Sequence, residues 1–270
     1  IAGQEHLTVS STGEDVTGVL GFTNVFLRAL QDWKPTYCVI AFDTSAPTFR
    51  HERFEDYKAQ RAEMPPELRP QFGRVKQLMQ AFGVPAFELD GYEADDVIGT
   101  ISRLAEAQRV DTVILTGDRD TFQLISPRVR VDLSSGIQGR KIYDEVELAA
   151  RYSGLTSSQQ PDFKSLVGDA SDNISGVPRV GEKRAISLLM AFHDLEGVYQ
   201  HLDEVAWPSV KQSLLENRER AFENRILTTI DRQAPLEFNL DACRFGQYKR
   251  QSVVDLLTEL EFFSVIQRLP

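Results

Sequence analysis

The hydrophobic positions of this chain follow two alternating patterns, one typical of amphipathic helices and one typical of buried strands. Apolar residues recur at helical spacing from Val16 to Trp33, and the segment 12–15 before them has the sequence of a helix capping box. Elsewhere the chain has continuous apolar runs of strand length, which suit strands buried on both faces of a parallel sheet. These runs occupy residues 37–43, 84–89 and 111–116. Helical spacing returns between them, at 67–83 and 93–108.

Strands and helices that alternate in this way predict an α/β domain with a mostly parallel central sheet flanked by helices. The segments 129–133 and 140–143 predict a β-hairpin around a turn rich in Ser and Gly. After residue 153 the pattern becomes helical, with Gly and Pro turns. We therefore expect an α/β core over residues 1–153 and a helical domain over residues 154–270.

Eight acidic residues lie in four short clusters at the ends of apolar or Gly-marked segments. They are Asp43, then Glu93, Asp95 and Asp96, then Asp118 and Asp120, and finally Asp169 and Asp172. Carboxylates held close together repel each other unless a cation lies among them, and hard divalent cations such as Mg²⁺ prefer oxygen ligands. Two such ions side by side are a common device for in-line cleavage of phosphodiesters. The clusters therefore indicate a metal-dependent phosphoryl-transfer enzyme.

Each cluster taken singly also has an ordinary structural explanation. Acidic residues at 93–96 are favoured by the dipole of a helix first turn, and Asp169 and Asp172 fit a surface turn. Asp118 and Asp120 fit a strand-to-helix turn in which an aspartate caps the helix. They are also two residues apart, so on an extended backbone both side chains point the same way and reach one ion.

The composition limits the choice of function further. Cys38 and Cys243 are the two cysteines, and they favour a reducing compartment over a disulfide framework or a zinc site. No apolar run approaches membrane-spanning length, and no signal-peptide pattern is present. The net charge of −10 disfavours nucleic-acid binding through the overall field. The clustered carboxylates contribute −8 of it and two bound divalent ions would bring the total to −6, so binding through local basic groups stays open.

One basic group surrounds the Gly-bounded turn from Gly176 to Gly181, which leads into an amphipathic helix. Glycines let the backbone approach a phosphate closely, and a helix N-terminus offers free N–H donors. Arg179, Lys183 and Arg184 add positive charge. The segment predicts sequence-independent contact with a duplex backbone, although an ordinary helix–turn–helix corner explains it equally well.

A second basic group begins in segment 44–70, which is polar, contains prolines and is too long for an ordinary connection. The basic residues here are Arg50, Arg53, Lys58, Arg61, Arg69, Arg74 and Lys76. Five acidic residues lie among them, so a solvated surface of mixed charge is the alternative explanation. Tyr57 beside Lys58 fits the mixture of aromatic and cationic side chains that holds single strands.

Together these motifs resemble the 5′-nuclease (flap endonuclease-like) family, and within it most closely the N-terminal 5′→3′ exonuclease domains of bacterial DNA polymerase I. The resemblance lies in AFDTSAPTFRHERFEDYKAQR (41–61), ELDGYEADDVIGT (88–100), ILTGDRDTFQLI (114–125) and DFKSLVGDASDNISGVPRVGEKRAISLL (162–189). Four motifs in one order are a specific signal, whereas each alone is weak.

The resemblance implies a PIN/resolvase-like nuclease core and a helical domain with a helix–three-turn–helix (helix–hairpin–helix-like) element at 174–193. It implies hydrolysis of DNA phosphodiesters at 5′ flaps and 5′ ends, in replication and repair, with two Mg²⁺ or Mn²⁺ ions. The expected ligands of the first metal region are Asp43, Glu93, Asp95, Asp96, Asp118 and Asp120. The expected ligands of the second are Asp169 and Asp172, together with Asp118 or Asp120.

The resemblance also implies roles for basic residues and partners. Arg50, Lys58 and Arg61 match catalytic residues at the base of a helical arch, residues 44–70, which threads or clamps the 5′ strand. The expected DNA contacts are Tyr57, Gly176, Val177, Arg179, Gly181, Lys183 and Arg184, and a K⁺ ion would fit the helix–three-turn–helix. The implied protein is bacterial, cytoplasmic, nucleoid-associated and monomeric, makes no membrane contact, and continues into a polymerase domain.

The start of the chain departs from the family pattern. Family members begin with a strand that carries an aspartate in an apolar-Asp-Gly context, and no such strand precedes Gly13. We expect residues 1–11 to be the end of the following helix and its loop, so that the first metal lacks a ligand. The alternative function is therefore a non-catalytic DNA-binding module. A ribonuclease of the related small nuclease fold, or a phosphatase, is a weaker third reading that the element at 176–192 disfavours.

Overall fold

The computed structural model describes residues 6–134 and 139–270. Its helices are α1 (Thr17–Trp33), α2 (Phe49–Arg53), α3 (Leu68–Ala81), α4 (Ala94–Ala107), α5 (Glu145–Arg151), α6 (Gln160–Val167), α7 (Glu182–Phe192), α8 (Leu195–Gln200), α9 (Pro208–Glu216), α10 (Arg218–Thr228), α11 (Arg250–Glu259) and α12 (Phe263–Ile266). Its strands are β1 (Ile40–Ala41), β2 (Ala86–Phe87), β3 (Thr112–Thr116), β4 (Val129–Ser134), β5 (Arg140–Tyr143), β6 (Gly168–Asp169) and β7 (Ile174–Ser175).

The chain divides into two compact units, each assembled from segments that are distant in sequence. The first unit comprises Ile1–Phe42, Ala62–Phe87 and Asn239–Pro270, and the second comprises Asp43–Arg61 and Glu88–Phe238. These units do not divide the chain after residue 153, because each gathers pieces from several stretches. The boundary expected there stays a prediction.

The first unit is a helical core with a short parallel ladder. Val19 and Leu27 of α1, Leu78 of α3 and Leu257 of α11 are fully buried in one apolar cluster. Strand β1 pairs in parallel with β2. The ladder is shorter than the apolar run 37–43 predicts, because that run changes partner along its length. The first part of the run pairs instead with the C-terminal segment, where Cys38 N donates to Cys243 O at 2.9 Å.

Helix α1 begins at Thr17, so the capping box expected at 12–15 is wrong. Gly13 has a positive φ of 72° and its N–H donates to Val9 O at 2.8 Å, which closes a tight turn in place of a first helical turn. Asp15 Oδ1 accepts instead from Thr17 N at 2.9 Å. Residues 6–11 contain no helix, contrary to expectation, and residues 1–5 lie outside the described residues.

The second unit contains the longer sheet and most of the helices. β3 and β4 are parallel, with Ile114 opposite Val131, and β4 and β5 form the predicted antiparallel hairpin. Most of the hairpin turn, residues 135–138, lies outside the described residues. Ile114, Phe122 and Leu148 are buried on this sheet. The described strands therefore give the predicted mixture of strands and helices, but as small sheets rather than one wide sheet.

The helices from α6 to α10 share a second core in the same unit, in which Leu166, Leu189, Val198 and Leu214 are fully buried. This confirms the helical character predicted after residue 153. Among the described residues, no helix combines the length and apolar character needed to cross a membrane.

Candidate metal centre

Asp43 lies in the second unit and contacts the start of α4. Its Oδ1 atom accepts from the N–H of Ala94 at 2.8 Å, and the side chain is exposed. A carboxylate at a helix N-terminus satisfies a free donor and interacts favourably with the helix dipole. Asp43 is thereby held beside the acidic cluster of α4.

The start of α4 carries Glu93, Asp95 and Asp96 in different environments. Glu93 is the N-cap residue, and its Oε1 atom accepts from Lys58 Nζ at 2.6 Å. Burial and, to a smaller extent, the nearby carboxylates of Asp118 and Asp120 together raise the pKa of Asp95 to about 7. The raised pKa indicates a place where negative charge accumulates without enough positive charge from the protein.

Asp96 does not fit the metal-ligand role that the motif suggests. It is fully buried, and its two oxygens accept from Arg50 Nη1 and Nη2 at 2.7 and 2.8 Å. The same oxygens also accept from the N–H groups of Glu93 and Asp231, at 2.9 and 2.8 Å. Four hydrogen bonds occupy the carboxylate, so we correct its role to fixing Arg50 and the start of α4.

Arg50 is likewise corrected from a catalytic to a structural role. It is 2% exposed, and besides Asp96 it donates to the carbonyls of Leu227 and Thr229 at 2.9 and 2.7 Å. Burial alone would lower the pKa of Arg50, but Asp96 and Glu93 outweigh it and raise the pKa. Its guanidinium therefore stays charged and has no face towards a substrate.

Tyr57 is also buried, at 3% exposure, and its ring is not available to stack on a base. Its hydroxyl lies 3.2 Å from Asp172 Oδ2 and 3.3 Å from Glu93 Oε2, and it donates to these carboxylates. Burial and the two acids raise the pKa of Tyr57, so the hydroxyl keeps its proton. The expected DNA contact is replaced by a bridge between two acidic clusters.

The turn after β3 places Asp118 and Asp120 side by side. Asp118 caps a 3₁₀ helix at Arg119–Leu124, and its Oδ1 atom accepts from the N–H of Asp120 at 2.9 Å. The two residues are therefore joined by a turn and not by the extended backbone assumed from their spacing. Burial raises the pKa of Asp120, Lys164 opposes this rise and Asp118 adds to it, and the net result is a pKa of about 6.

Asp169 and Asp172 are held by a hairpin whose main chains touch. Gly168 has a positive φ of 86°, and a Cβ atom there would lie 2.4 Å from Gly176 N. A Cβ atom on Gly176 would lie 2.3 Å from the carbonyl of Val167. Glycine is therefore required at both positions, and the acidic turn is fixed directly against the next turn of the chain.

The second metal region of the motif converges in space. One carboxylate oxygen from each of Asp120, Asp169 and Asp172 lies within 4.8 Å of the others. Three hard oxygen donors at this separation suit a divalent cation such as Mg²⁺ or Mn²⁺. The donor set therefore fits a metal centre.

Three basic side chains of the protein neutralise these acids. Lys58 Nζ lies 3.9 Å from Asp172 Oδ2 in addition to its bond with Glu93, and Arg61 Nη2 donates to Asp172 Oδ1 at 2.7 Å. Lys164 donates to Asp169 Oδ2 at 2.6 Å and also to Asp120. The bonds from Lys164 and Ser171 outweigh the effect of burial on Asp169 and lower its pKa to about 2.

Sequence reasoning missed Lys164, which the structure places between two predicted metal ligands. The signal was present, because Lys164 stands in the last turn of a helix that runs straight into the acidic turn at 168–172. A lysine at that place is close to the acids whichever way the turn bends.

An open cleft of about 940 Å³ runs over the site. Asp118, Asp120, Lys164 and Asp169 line it, together with Glu182 at the first position of α7. The cleft therefore joins the carboxylates to the start of the helix for which duplex contact is predicted.

The residues predicted to contact DNA divide into exposed and buried ones. Arg179, Gly181, Lys183 and Arg184 are exposed, and Arg184 Nη1 donates to Arg179 O at 2.7 Å. Val177 is 3% exposed and its N–H donates to Leu166 O at 2.8 Å, so its side chain and donor both serve packing. We correct Val177 to a packing role.

Family models match nearly the whole chain. Residues 2–153 match the 5′-3′ exonuclease N-terminal resolvase-like domain, and residues 155–251 match the 5′-3′ exonuclease C-terminal SAM fold. The chain belongs to the 5′-3′ exonuclease family. This confirms the resemblance and the fold class of the sequence analysis.

Curated relatives of this chain are DNA polymerases I. The DNA polymerase I of Chloroflexus aurantiacus is 44% identical over 268 residues, which cover 97% of this chain and 28% of that protein. The DNA polymerase I of Bacillus caldotenax is 41% identical over 258 residues, which cover 95% of this chain and 29% of that protein. The chain thus spans less than a third of the length of these relatives.

Solved structures share the fold at lower identity. A bacteriophage T5 5′-exonuclease structure with bound zinc has a TM-score of 0.64 and 21% identity, covering 92% of this chain and 90% of that one. The catalytic core of Rad2 in complex with DNA has a TM-score of 0.65 and 14% identity, covering 97% of this chain and 87% of that one. At these identities the likeness supports the fold.

Proposed function

We propose that this chain is a metal-dependent, structure-specific 5′→3′ exonuclease and 5′-flap endonuclease that hydrolyses DNA phosphodiesters in replication and repair. The observation that carries the proposal is the convergence of Asp120, Asp169 and Asp172 within 4.8 Å, at a cleft that Asp120, Asp169 and Glu182 of α7 line. A metal centre and a phosphate-binding helix start on one cleft suit a substrate with a duplex beside the cleaved strand. Membership of the 5′-3′ exonuclease family supports the same reaction.

In this proposal two Mg²⁺ or Mn²⁺ ions are the cofactors. Asp43, Glu93, Asp95, Asp118 and Asp120 would hold the first, and Asp169 and Asp172, with Asp120, the second. When bound, such ions supply an activated water and stabilise the attacking and leaving oxygens of an in-line displacement. The acids serve as ligands and not as general bases, and Asp96 serves only to hold Arg50.

Lys58 and Arg61 act on the substrate in the proposal. Both pair with carboxylates of the site, and the Arg61 side chain is half exposed. A phosphate that reaches the cleft competes for these cations, since charge-assisted bonds to phosphate are as strong as those to carboxylate. Both residues stand at the base of the proposed arch, residues 44–70, which would clamp the 5′ strand.

The exposed start of α7 grips the duplex in the proposal. Gly181 leaves the helix N-terminus open, since a Cβ atom there would meet nothing within 4 Å, and Lys183 and Arg184 follow it. Free N–H donors and cations at such a place bind phosphates without reading base sequence. We assign the K⁺ ion implied by the family resemblance to the same turn.

The proposal extends to the protein around this chain. The curated relatives are DNA polymerases I, so we propose that the nuclease works beside a polymerase domain of the same protein, in the bacterial cytoplasm at the nucleoid. We also propose that it acts as a monomer, because one chain supplies all the carboxylates of the site.

Cleavage of a labelled 5′-flap duplex tests the function. The unchanged chain should cut it in Mg²⁺ and bind it without cutting in Ca²⁺. Asp118→Asn or Asp120→Asn should slow single-turnover cleavage roughly tenfold or more while binding in Ca²⁺ persists. Asp203→Asn is the matched control, because Asp203 is an exposed aspartate that pairs with Lys211 outside the cleft.

Each outcome of this experiment decides between the proposed functions. Equal cleavage by Asp118→Asn and Asp203→Asn would remove the metal assignment. Flap binding without cleavage by the unchanged chain in either Mg²⁺ or Mn²⁺ would favour the non-catalytic DNA-binding module.

A further inference from the structure

Lys164 is a partly buried cation at the centre of the acidic site. Its side chain is 20% exposed and leaves α6 towards the carboxylates, where the ammonium donates to Asp120 and, at 2.6 Å, to Asp169 Oδ2. Burial alone would lower the pKa of Lys164, but the two carboxylates outweigh it and raise the pKa. The side chain is therefore positively charged throughout the neutral range.

The ammonium donates to two of the three carboxylates that would hold a divalent ion. Asp120 and Asp169 belong to the group of three carboxylates whose oxygens lie within 4.8 Å of one another. An ammonium carries one charge and binds through hydrogen-bond donors, whereas a divalent ion carries two and needs direct contact with oxygen lone pairs. The two cations therefore compete for the same lone pairs.

The contrast with Arg50 separates this contact from ordinary structural pairing. Arg50 and Asp96 form a closed pair in which every carboxylate lone pair has a protein donor. Lys164 instead lines the open cleft, within reach of solvent and ions. A lysine in an ordinary structural ion pair needs only one carboxylate. Lys164 donates to carboxylates from two elements, the turn after β3 and the hairpin of β6.

We propose that Lys164 is a built-in competitor for the divalent ion at Asp120 and Asp169. It holds the acids together while the site is empty of metal, and it sets the ion concentration at which the second metal binds. It is a positioning residue, because it acts through the acids. The inference rests on the proposed function for the identity of the site, but it concerns ion affinity and not cleavage.

Mn²⁺ binding to the metal-free full chain tests the inference, with free Mn²⁺ measured by its electron paramagnetic resonance signal. Lys164→Met should bind Mn²⁺ at least about tenfold more tightly, because a unit positive charge within hydrogen-bond distance of the ligands is removed. Lys164→Arg keeps the charge and should stay within about threefold of the unchanged chain.

Lys211→Met is the matched control. Lys211 also pairs with an aspartate, Asp203, in the same unit but outside the cleft, so its loss should leave Mn²⁺ binding unchanged. Equal or weaker binding by Lys164→Met would overturn the inference. So would an equal gain in affinity for Lys211→Met, which would point to a general effect of net charge.

A neutral residue at 164 leaves several carboxylates unopposed, so the metal-free variant could be poorly folded. Lys164→Gln keeps hydrogen-bond donors without the charge and should show the same gain in affinity. If neither neutral variant folds without metal, circular dichroism during Mn²⁺ addition decides. If the variant folds at Mn²⁺ concentrations too low to saturate the unchanged chain, the inference is supported. If Mn²⁺ does not restore folding, the inference is overturned.

The outcome is separable from that of the proposed function. Tighter Mn²⁺ binding by Lys164→Met in a chain that cuts no flap DNA supports the inference and contradicts the nuclease proposal. Normal cleavage by the unchanged chain, with no change in the Mn²⁺ affinity of Lys164→Met, supports the nuclease proposal and contradicts the inference.

Discussion

At the scale of single residues, the carboxylates of the site differ in how many protein donors they have and in their pKa values. Asp96 has four donors, and Asp169 has donors from Lys164 and from both the N–H and hydroxyl of Ser171. Asp95 and Asp120 have raised pKa values of about 7 and about 6. In the metal-free protein, burial and neighbouring negative charge therefore disfavour ionisation at two particular side chains.

The raised pKa of Asp95 predicts a pH dependence of stability. Its pKa is about 7 in the folded chain and 3.8 without the surrounding structure. Between about pH 4 and pH 7 the unfolded state has released the proton and the folded state keeps it, so the metal-free fold loses stability as pH rises through this window. In EDTA, Asp95→Asn should raise the free energy of unfolding by about 1–3 kcal/mol at pH 8 and by much less at pH 5.

Chemical denaturation at the two pH values measures this difference. Asp203→Asn provides the comparison, since a hydrogen bond from Lys211 lowers the pKa of Asp203 and its loss brings no gain at pH 8. If Asp95→Asn is no more stable than the unchanged chain at pH 8, another contact offsets the cost of ionising Asp95 in the folded chain.

At the scale of elements, one short hairpin governs the geometry of the centre. β6 and β7 pair over two residues each, Asp169 is the last residue of β6, and Asp172 lies in the turn between the two strands. Asn173 closes the turn with a positive φ of 60° and donates from Nδ2 to Asp56 O at 2.8 Å. The position of the acids thus depends on backbone contacts more than on side-chain packing.

Gly176→Ala tests this dependence. The added Cβ atom would lie 2.3 Å from the Val167 carbonyl and 2.6 Å from Gly168 N, and backbone on both sides cannot yield without moving the hairpin. We expect a loss of about 2–4 kcal/mol in the free energy of unfolding. Thermal or urea unfolding measures it.

Gly181→Ala is the control for the same chemical change. Nothing lies within 4 Å of an added Cβ atom there and the backbone has an ordinary φ of −87°, so we expect a change within about 0.5 kcal/mol. Similar losses for both glycines would mean that chain flexibility, and not the contact with Val167, explains the effect at Gly176.

At the scale of the whole molecule, a net charge of −10 must coexist with the proposed DNA binding. Overall charge of this sign repels a polyanion, so attraction has to come from local groups. The exposed Lys183 and Arg184 at the start of α7 are such a group. The salt dependence of binding reports how many cations contact phosphates.

Lys183→Ala with Arg184→Ala should weaken binding to all duplex-containing DNAs alike. The slope of log affinity against log salt should fall by about 1–2, because each lost phosphate contact releases about 0.9 counterion fewer. Lys249→Ala with Arg250→Ala is the matched control, an exposed Lys-Arg pair at the start of α11 whose loss changes the net charge equally. Fluorescence anisotropy at several salt concentrations measures both slopes.

Two results of that comparison would contradict the proposed grip. Equal slopes for both double variants would mean that net charge causes the effect. An unchanged slope for the α7 variant would mean that the turn from Gly176 to Gly181 serves only to pack the helices. The melting temperature is measured in parallel, because Arg184 also lies 5.9 Å from the Trp207 ring centroid.

The sequence predicted what local spacing determines and missed what distant contacts determine. Strand β3, helix α4 and the acidic turns followed from apolar periodicity and short motifs. The burial of Arg50 did not, because its partners at Leu227 and Thr229 are 177 and 179 residues away. The same holds for Tyr57, whose hydroxyl contacts Asp172 115 residues later.

The contact between Gly168 and Gly176 has a consequence for where a strand is cut. It packs the acid-bearing turn directly against the loop that leads into α7, so we expect the two to move together. In the proposed function, the spacing between the gripped duplex and the hydrolysed bond is then set by this close main-chain packing. A duplex displaced by one step of about 3.4 Å presents the wrong phosphate to the centre. The enzyme would measure its incision point in nucleotides from the junction, whatever the base sequence.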